Sequence, residues 1–283
     1  MNLADFNTLK GVLRDAGFDF KKSLGQNFLI NPDVCPAMAQ AACDNKTGVL
    51  EIGPGAGVLT YELCDRAKRV VAIELDERLR PVLARTLRDK ENLEIIFGDA
   101  MKLDLAEIIK EKFSDCDRVS VCANLPYYIT SPMIMYLLES KLPIDNITVM
   151  IQKEAAERFC AEVGSREAGA VTVAVNYYSE SNILFEVDRE SFMPAPNVDS
   201  AVIMLKIRNV PPVFVSDEKG FFLFLKACFA QRRKTLVNTV SSSLGVSKDN
   251  IRAVLEKLSL APTVRSEELS MELLAEVFKG IYE

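Results

Sequence analysis

The strongest constraint on the fold of this chain is an alternation of short apolar segments with helical segments that begins at Gly48. Five segments rich in valine and isoleucine are each followed by a stretch with helical character: GVLEIG, RVVAIEL, LEIIFGD, VSVCANLP and NITVMIQ. Near-continuous apolar strands separated by helices are typical of a parallel sheet that is buried on both faces. We therefore predict a doubly wound α/β domain over residues 1–208.

Three later segments complete this domain. The runs NILFEV and SAVIMLKI are separated by the proline-punctuated FMPAPNVD, and we expect the two runs to form a terminal hairpin on the sheet. The run AVTVAVNYY fits a helix or a strand, because its apolar residues follow neither period clearly.

The segment NVPPVFVSD has two prolines and no hydrophobic period, and it marks a linker. Residues 209–283 beyond this boundary are predicted to form a small helical domain. Phe221, Phe224, Leu225, Cys228 and Phe229 have the spacing of one helix face, and a second helix repeats it from Ile251. We expect Ser266 to be the N-cap of a third helix, because two glutamates follow it.

The absence of histidine and the scattered positions of the cysteines exclude several kinds of catalytic and metal site. The chain has no histidine, which excludes a Ser-His or Cys-His nucleophile pair and an imidazole base. Its seven cysteines are odd in number and form no C-x-x-C pair, as expected for reduced core thiols rather than disulfides or a zinc site. We predict no metal site.

Charge and hydropathy bear on the partners of the chain. The net charge is −6, but residues from Asn209 onward carry ten basic and nine acidic side chains, so a polyanion would have to meet local patches. No apolar run approaches the length of a membrane span, and the N-terminus lacks the apolar centre of a signal peptide. We predict a cytoplasmic protein without membrane contact.

Successive strand ends carry the elements of a nucleoside site. The first strand runs into the glycine turn Gly53-Pro-Gly55-Ala-Gly57, the second ends in Glu74 and the third in Asp99. The turn can approach a cofactor closely, Glu74 can accept from two ribose hydroxyls, and Asp99 can bind an adenine amine. Little here suggests a pyrophosphate cradle, so the pattern favours S-adenosylmethionine (SAM) over NAD. Each motif alone would also fit a tight turn or a solvated acid.

The fourth strand ends in Asn124-Leu125-Pro126-Tyr127, which suits methylation of an exocyclic amine. The lone pair of such an amine is delocalised into its ring, and acceptors that hold the two N–H groups out of plane restore its nucleophilicity. The Asn124 side chain and the backbone carbonyl of Leu125 or Pro126 can supply these acceptors. Tyr127 offers a face on which the target base can stack.

In this order, the motifs resemble those of the KsgA-type ribosomal RNA adenine dimethyltransferases along essentially the whole chain. They are KSLGQNFL from Lys22, EIGPGAG, IELD, GDA, NLPYYITSP, FMPAPNVDS and QRRK from Gln231. The resemblance implies a Rossmann-like SAM-dependent methyltransferase domain, with helices on both faces of its sheet, and a small all-helical C-terminal domain. The implied reaction is N6-dimethylation of two adjacent adenosines in the 3′-terminal hairpin loop of 16S ribosomal RNA during small-subunit biogenesis.

The resemblance also implies roles for individual residues. It places Asn27 and Leu29 over the cofactor, and it matches further SAM contacts to Gly53, Glu74, Asp99 and Asn124. Gly55 belongs to the same glycine turn. Phe192 matches the aromatic residue that closes the target-base pocket opposite Tyr127, although a core phenylalanine before a turn is the structural alternative.

Two departures from the family pattern fall near the expected base pocket. The chain has Glu167-Ala168-Gly169 where a Tyr-Gly pair is common, and Asp188-Arg189 where Pro-Pro is usual. The related large-subunit adenine methyltransferases of the macrolide-resistance type more often have Asn-Ile-Pro-Tyr, so the motifs favour the small-subunit enzyme. A third hypothesis is a ribosome-assembly factor that acts mainly by binding.

Three basic runs are candidates for RNA contact: Lys21-Lys22, the group Arg66, Lys68 and Arg69, and Arg232-Arg233-Lys234. The last run is the best candidate, because it ends a predicted amphipathic helix in the less acidic domain. Each run alone would also fit a solvated surface. The expected partner is 16S ribosomal RNA in the immature small subunit, and we expect the protein itself to be a monomer.

Overall fold

The computed structural model of the chain describes residues 5–16 and 28–282. Its strands are β1 (Phe28–Leu29), β2 (Thr47–Ile52), β3 (Arg69–Glu74), β4 (Leu93–Phe97), β5 (Arg118–Asn124), β6 (Asn146–Gln152), β7 (Ser179–Val187), β8 (Phe192–Met193) and β9 (Ser200–Ile207). Its helices are α1 (Phe6–Asp15), α2 (Val34–Ala42), α3 (Val58–Arg66), α4 (Arg80–Thr86), α5 (Leu105–Lys112), α6 (Thr130–Glu139), α7 (Lys153–Phe159), α8 (Ala170–Tyr178), α9 (Glu218–Cys228), α10 (Leu236–Leu244), α11 (Lys248–Lys257) and α12 (Met271–Tyr282).

Within the described residues the main sheet has seven strands in the order β4-β3-β2-β5-β6-β9-β7. The five strands from β2 to β6 are parallel, as predicted, and β9 runs antiparallel to β6. The chain builds outward from β2 through β3 and β4, and then returns to place β5 on the other side of β2. The switch point of this sheet therefore lies between the carboxyl ends of β2 and β5, where open α/β sheets bind ligands.

Burial explains why these segments form central strands. All six residues of β2 and five of the six in β3 are buried, so both faces of these strands are covered. On one face, Met38 and Ala39 of α2 and Leu63 of α3 pack on Val49 and Val70. A second cluster joins α1 and α4 through side chains that include Leu9, Leu13, Val82 and Leu83. Helix α1 was not among the predicted elements.

The structure decides the segments that periodicity left open. AVTVAVNYY forms α8, and the two late apolar runs form β7 and β9, which are neighbours at the end of the sheet as expected. Val173 and Tyr177 of α8 are buried in the same cluster as Phe221 of α9. Such contacts between distant segments override local propensity, which is why periodicity alone could not assign α8.

By its contacts the chain divides into two units. One comprises the described residues of Met1–Ala156 together with Ser181–Ile207, and the other comprises Glu157–Glu180 together with the described residues of Arg208–Glu283. The sequence-based boundary at 208/209 assigned residues 157–180 to the first domain, whereas their contacts group them with the helical unit. The RNA-recognition role of the helical unit stays a prediction.

The helical unit packs around an aromatic core. Phe221, Phe224, Leu225 and Cys228 are buried on the predicted face of α9, and Ile251, Val254 and Leu255 are buried on α11. Phe278 of α12 meets Phe221 edge-on, with 5.5 Å between the ring centroids. The predicted helix faces are thus confirmed.

Two details of this unit differ from the predictions. Arg232-Arg233-Lys234 does not end a helix: α9 ends at Cys228, and the three residues form a turn before Thr235, which caps α10. Ser266 is not the N-cap of the last helix, because its buried hydroxyl donates to the Cys228 carbonyl at 2.7 Å. Helix α12 starts at Met271, and the hydroxyl of Ser270 accepts from the Leu273 N–H at 3.3 Å.

None of the helices in residues 5–16 and 28–282 is long and apolar enough to cross a lipid bilayer.

Candidate methyl-transfer site

The glycine turn at the end of β2 depends on backbone conformations that favour glycine. Gly53, Gly55 and Gly57 all have positive φ, at 72°, 59° and 88°. A Cβ atom would meet nothing within 4 Å at Gly53 or Gly55, so the space beside both residues is open. At Gly57, which caps α3, a Cβ would lie 3.0 Å from Leu87. The turn is thus tight on the helix side and open where a ligand could approach.

Glu74 ends β3 with its carboxylate held by two backbone donors. Oε2 accepts from Gly55 N at 3.0 Å, and Oε1 accepts from Asp76 N at 2.8 Å. Burial raises the pKa of this carboxyl, and the two backbone hydrogen bonds oppose the rise. A carboxylate has about four lone-pair positions, so each oxygen can still accept a hydrogen bond from a ligand hydroxyl.

Asp99 follows β4 in a turn that continues the sheet edge. The Gly98 N–H donates to the Glu74 carbonyl at 2.8 Å, which places Asp99 directly after the last link between β3 and β4. Its Oδ1 accepts from Met101 N at 3.0 Å, and Lys102 pairs with Oδ2 at 3.3 Å. The carboxylate is oriented by its own loop and stays partly exposed.

Asn124 is the last residue of β5, next to the glycine turn. Glu51 of β2 pairs with Cys122 of β5, so Gly53 and Asn124 each lie two residues beyond that pair at the switch point. The Pro126 carbonyl accepts from Ile129 N at 3.0 Å and from the Thr130 hydroxyl at 3.3 Å. These bonds form the short 3-10 turn that leads into α6, and they leave the Leu125 carbonyl as the better candidate for binding a ligand donor.

Two aromatic residues border this site from different parts of the chain. Tyr127 is half-buried, and its hydroxyl is hydrogen-bonded to the Ser200 hydroxyl at 2.8 Å. Phe192 is buried in β8, where it pairs with Leu29 of β1. The short β1–β8 ribbon therefore joins the segment expected to cover the cofactor to the segment expected to close the base pocket.

A single cavity of about 460 Å³ unites most of the predicted site. Its lining includes Leu29, Gly53, Gly55, Glu74, Asp99, Asn124, Leu125, Pro126, Tyr127 and Phe192. Asn27, Lys21 and Lys22 lie outside the described residues, so the structure does not bear on their predicted roles. Residues far apart in sequence thus meet at the predicted edge of the sheet, and their individual functions stay predictions.

Glu51 lines the same cavity and was not identified from the sequence. It is 1% exposed, and neither its Oε2 nor the hydroxyl of nearby Thr60 has a hydrogen-bond partner in the described part of the chain. Burial raises the pKa of Glu51 to about 8. The sequence does contain a signal for this residue. Glu51 is an acid inside an otherwise apolar strand, and it lies two residues before Gly53.

The basic turn lies in the helical unit and belongs to its surface. Arg232, Arg233 and Lys234 are all exposed, and the Arg232 guanidinium donates from Nη2 to the Arg166 carbonyl at 2.7 Å. Among the described residues none of these three makes an ion pair. The turn therefore presents positive charge that no described acidic side chain neutralises. Its Arg232 is also held in place by the hydrogen bond to the Arg166 carbonyl.

The two departures from the family pattern have structural roles of their own. Ala168 is buried, and Gly169 precedes α8 with its N–H donating to the Thr172 hydroxyl at 3.0 Å. The Asp188 carbonyl accepts from Ser191 N at 2.9 Å, and the Arg189 N–H donates to the Asp199 carboxylate at 3.1 Å. Both segments are therefore well-formed turns.

For the part of the chain that the structure describes, no group of three or more Cys, Asp or Glu side chains is arranged to hold a metal ion.

Solved structures with the same architecture identify the class. A dimethyladenosine transferase from Plasmodium falciparum aligns with a TM-score of 0.72 and 29% identity, over 88% of this chain and 95% of that one. The 23S rRNA methyltransferase ErmE aligns with a TM-score of 0.67 and 25% identity, over 91% of this chain and all of that one. The chain is therefore a Rossmann-like methyltransferase with a helical C-terminal region.

Sequence comparison defines the family. Residues 17–282 match the ribosomal RNA adenine dimethylase family, and the chain belongs to it. The protein named ribosomal RNA small subunit methyltransferase A from Geobacillus thermodenitrificans is 47% identical over 276 residues, which is 96% of this chain and 94% of that protein. Its namesake from Streptococcus pneumoniae is 44% identical over 99% of both chains.

Proposed function

We propose that this enzyme binds SAM at the switch point of its sheet and dimethylates N6 of two adjacent adenosines in small-subunit ribosomal RNA. The observation that carries the proposal is the convergence of the glycine turn, Glu74, Asp99 and the Asn124-Leu-Pro-Tyr segment on one cavity. Methyl transfer to a base requires a site that binds the nucleoside of the cofactor and, beside it, a site that binds the acceptor amine.

The cavity has the features that SAM needs. The open space beside Gly53 and Gly55 admits a ligand close to the backbone, and Glu74 can accept from the ribose hydroxyls. Asp99 is suited to the adenine amine. The Glu51 Oε2 has no hydrogen-bond partner among the described residues, which supports a ligand group that hydrogen-bonds to it, because an unsatisfied buried polar atom is costly. When bound, SAM supplies an electrophilic methyl group.

The residues at the end of β5 would activate the acceptor amine. Asn124 Oδ1 and the Leu125 carbonyl would accept the two N6 hydrogens and hold the nitrogen lone pair toward the methyl group. The Pro126 carbonyl is less suited, because Ile129 and Thr130 already donate to it. The amine proton leaves after transfer, so the site needs no strong base, and the chain has no histidine to supply an imidazole.

Tyr127 and Phe192 would hold the target base. Both line the cavity and carry flat apolar faces, which extruded bases use for stacking. Burial raises the pKa of Tyr127, so its hydroxyl stays protonated and takes no part as a phenolate base.

We assign RNA contact to the exposed Arg232-Arg233-Lys234 turn and, from the sequence, to Lys21 and Lys22. Uncompensated arginine and lysine side chains bind phosphates and release counterions. The proposed substrate is the 3′-terminal hairpin loop of 16S ribosomal RNA in the immature small subunit, bound by a monomer in the cytoplasm. Support comes from the relatives at 44% and 47% identity, whose names specify the small subunit, against 25% for the 23S enzyme.

The decisive experiment uses ribosomal subunits that lack the modification. Purified enzyme and SAM are incubated with immature small subunits or with large subunits, and methylated nucleotides are mapped. We expect two adjacent dimethyladenosines near the 3′ end of 16S ribosomal RNA and none in the large subunit. Methylation of the large subunit would favour the macrolide-resistance type, and tight binding without methylation would favour an assembly factor.

A further inference from the structure

The hydroxyl of Tyr127 is hydrogen-bonded to the last residue of the FMPAPNVDS motif, a residue to which no role has been given so far. Its partner is the hydroxyl of Ser200, at 2.8 Å, and Ser200 is completely buried at the start of β9. Two hydroxyl groups at this distance share one hydrogen bond, in which either can donate.

The sheet topology explains how a late segment reaches the site. Because β9 is antiparallel to β6, its first residue, Ser200, pairs with Gln152, the last residue of β6. Tyr127 follows β5, on the other side of β6. The hydrogen bond between Tyr127 and Ser200 therefore crosses the carboxyl end of β6.

Ser200 is a rigid anchor because the residue before it is held on two sides. The Asp199 carbonyl accepts from Lys153 N at 3.0 Å, and its carboxylate accepts from Arg189 N at 3.1 Å. The start of β9 is thus fastened to α7 and to the turn before β8.

We propose that Ser200 is a positioning residue that holds the ring of Tyr127 in the orientation required to stack on the target adenine. This inference rests on the proposed function. A half-buried tyrosine that is tied at its hydroxyl has lost its ring mobility before the base arrives, so base binding costs less conformational entropy. The hydrogen bond acts on base capture and leaves the amine acceptors of Asn124-Leu-Pro-Tyr unchanged.

The kinetic test removes the bond from each side. Ser200→Ala, Tyr127→Phe and the double variant are assayed at saturating SAM with increasing concentrations of unmethylated small subunits. Each single variant should raise the half-saturating subunit concentration by roughly two- to tenfold, the value of one net hydrogen bond. The double variant should lose no more than either single variant, and in Ser200→Ala the rate at saturating subunits should stay within about twofold of wild type.

Ser120→Ala is the matched control. Ser120 is also buried, and its hydroxyl accepts from the Asn146 side chain at 2.9 Å in the same sheet, but Asn146, unlike Tyr127, does not line the cavity. It should leave the half-saturating concentration unchanged. Additive losses in the double variant, or equal losses in Ser120→Ala, would overturn the proposal.

A second measurement does not depend on activity. The enzyme is labelled with ¹³Cζ-tyrosine, the Tyr127 resonance is assigned by its loss in Tyr127→Phe, and it is titrated at alkaline pH by NMR. The Ser200 hydrogen bond lowers the pKa of Tyr127 against the effect of burial, so Ser200→Ala should raise that pKa further. An unchanged titration would refute the anchor. Failure of wild-type enzyme to methylate small subunits would instead refute the proposed function.

Discussion

The carboxylate of Glu74 accepts a hydrogen bond from the backbone N–H of Gly55, with 3.0 Å between Oε2 and the nitrogen. This hydrogen bond links the acid that ends β3 to the glycine turn that follows β2, so the two form one hydrogen-bonded unit within the site. A substitution at either position should disturb both the predicted ribose contact and the path of the turn.

Removing either part of this unit should weaken SAM binding. Glu74→Ala removes the carboxylate, and Gly53→Arg places a large side chain where φ is positive and the cavity is open. We expect each variant to lose at least tenfold in SAM affinity, about 1.4 kcal/mol or more, by titration calorimetry. Wild-type affinity in both variants would contradict the cofactor assignment.

Glu77→Ala is the control for this experiment. Glu77 lies three residues beyond Glu74, is exposed and does not line the cavity. Its removal should leave SAM affinity unchanged. Thermal unfolding of all three variants identifies any loss of affinity that comes from misfolding.

The convergence of these residues followed from the sequence because the parallel strands were recognisable. Valine and isoleucine runs defined β2 to β5, and parallel strands end at one edge, so Gly53, Glu74, Asp99 and Asn124 had to meet there. The positions of these four residues along the chain were enough to place them together, without any side-chain contact.

Other parts of the site depend on the pairing of strands that are far apart in the chain. Local sequence patterns do not show which distant strands will pair. The position of β9 beside β6 brings Ser200 to Tyr127, and the pairing of β1 with β8 brings Leu29 to Phe192. The grouping of α8 with the helical unit likewise depends on its contact with Phe221. In each case the partners are far apart in the chain.

Loss of the amine acceptor should slow methyl transfer more than it weakens cofactor binding. We expect Asn124→Ala to reduce the single-turnover rate at saturating SAM and subunits by roughly 10²–10³-fold, as when one preorganised polar group is removed from a transition state. SAM affinity should fall only modestly. A wild-type rate in this variant would rule out the proposed role of Asn124.

Charge reversal in the basic turn should weaken RNA binding without affecting SAM. We expect the triple variant Arg232→Glu, Arg233→Glu, Lys234→Glu to bind small subunits more weakly, most clearly at low salt, because phosphate contacts release counterions. Filter binding across a salt series measures the effect. Unchanged binding at low ionic strength would show that the turn is only a solvated surface.

A matched control reverses Lys248, Arg252 and Lys257 on α11 of the same unit. It changes the net charge equally and should have a smaller effect. Arg232→Lys separates the two roles of Arg232, because it keeps the charge but loses the geometry of the bond to the Arg166 carbonyl. We expect it to weaken subunit binding less than Arg232→Glu.

The buried acid Glu51 should make stability depend on pH. Its pKa is about 8 in the folded enzyme, against a usual value of 4.5, so between these pH values the folded state holds a proton that the unfolded state has lost. The contribution of Glu51 to the free energy of unfolding is therefore largest below about pH 4.5, falls as the pH rises to about 8, and is level above it.

Glu51→Gln removes this titration while keeping the size and polarity of the side chain. We expect the free energy of unfolding of the variant, minus that of the wild type, to increase by a few kcal/mol between pH 5 and pH 8, the order expected from such a shift. Urea unfolding of the SAM-free proteins at several pH values measures this difference. A difference that does not change over this range would mean that Glu51 is charged in the folded enzyme at pH 5. In that case the Glu51 carboxylate would be ionised inside the cavity even when no SAM is bound, and burial would not control its protonation.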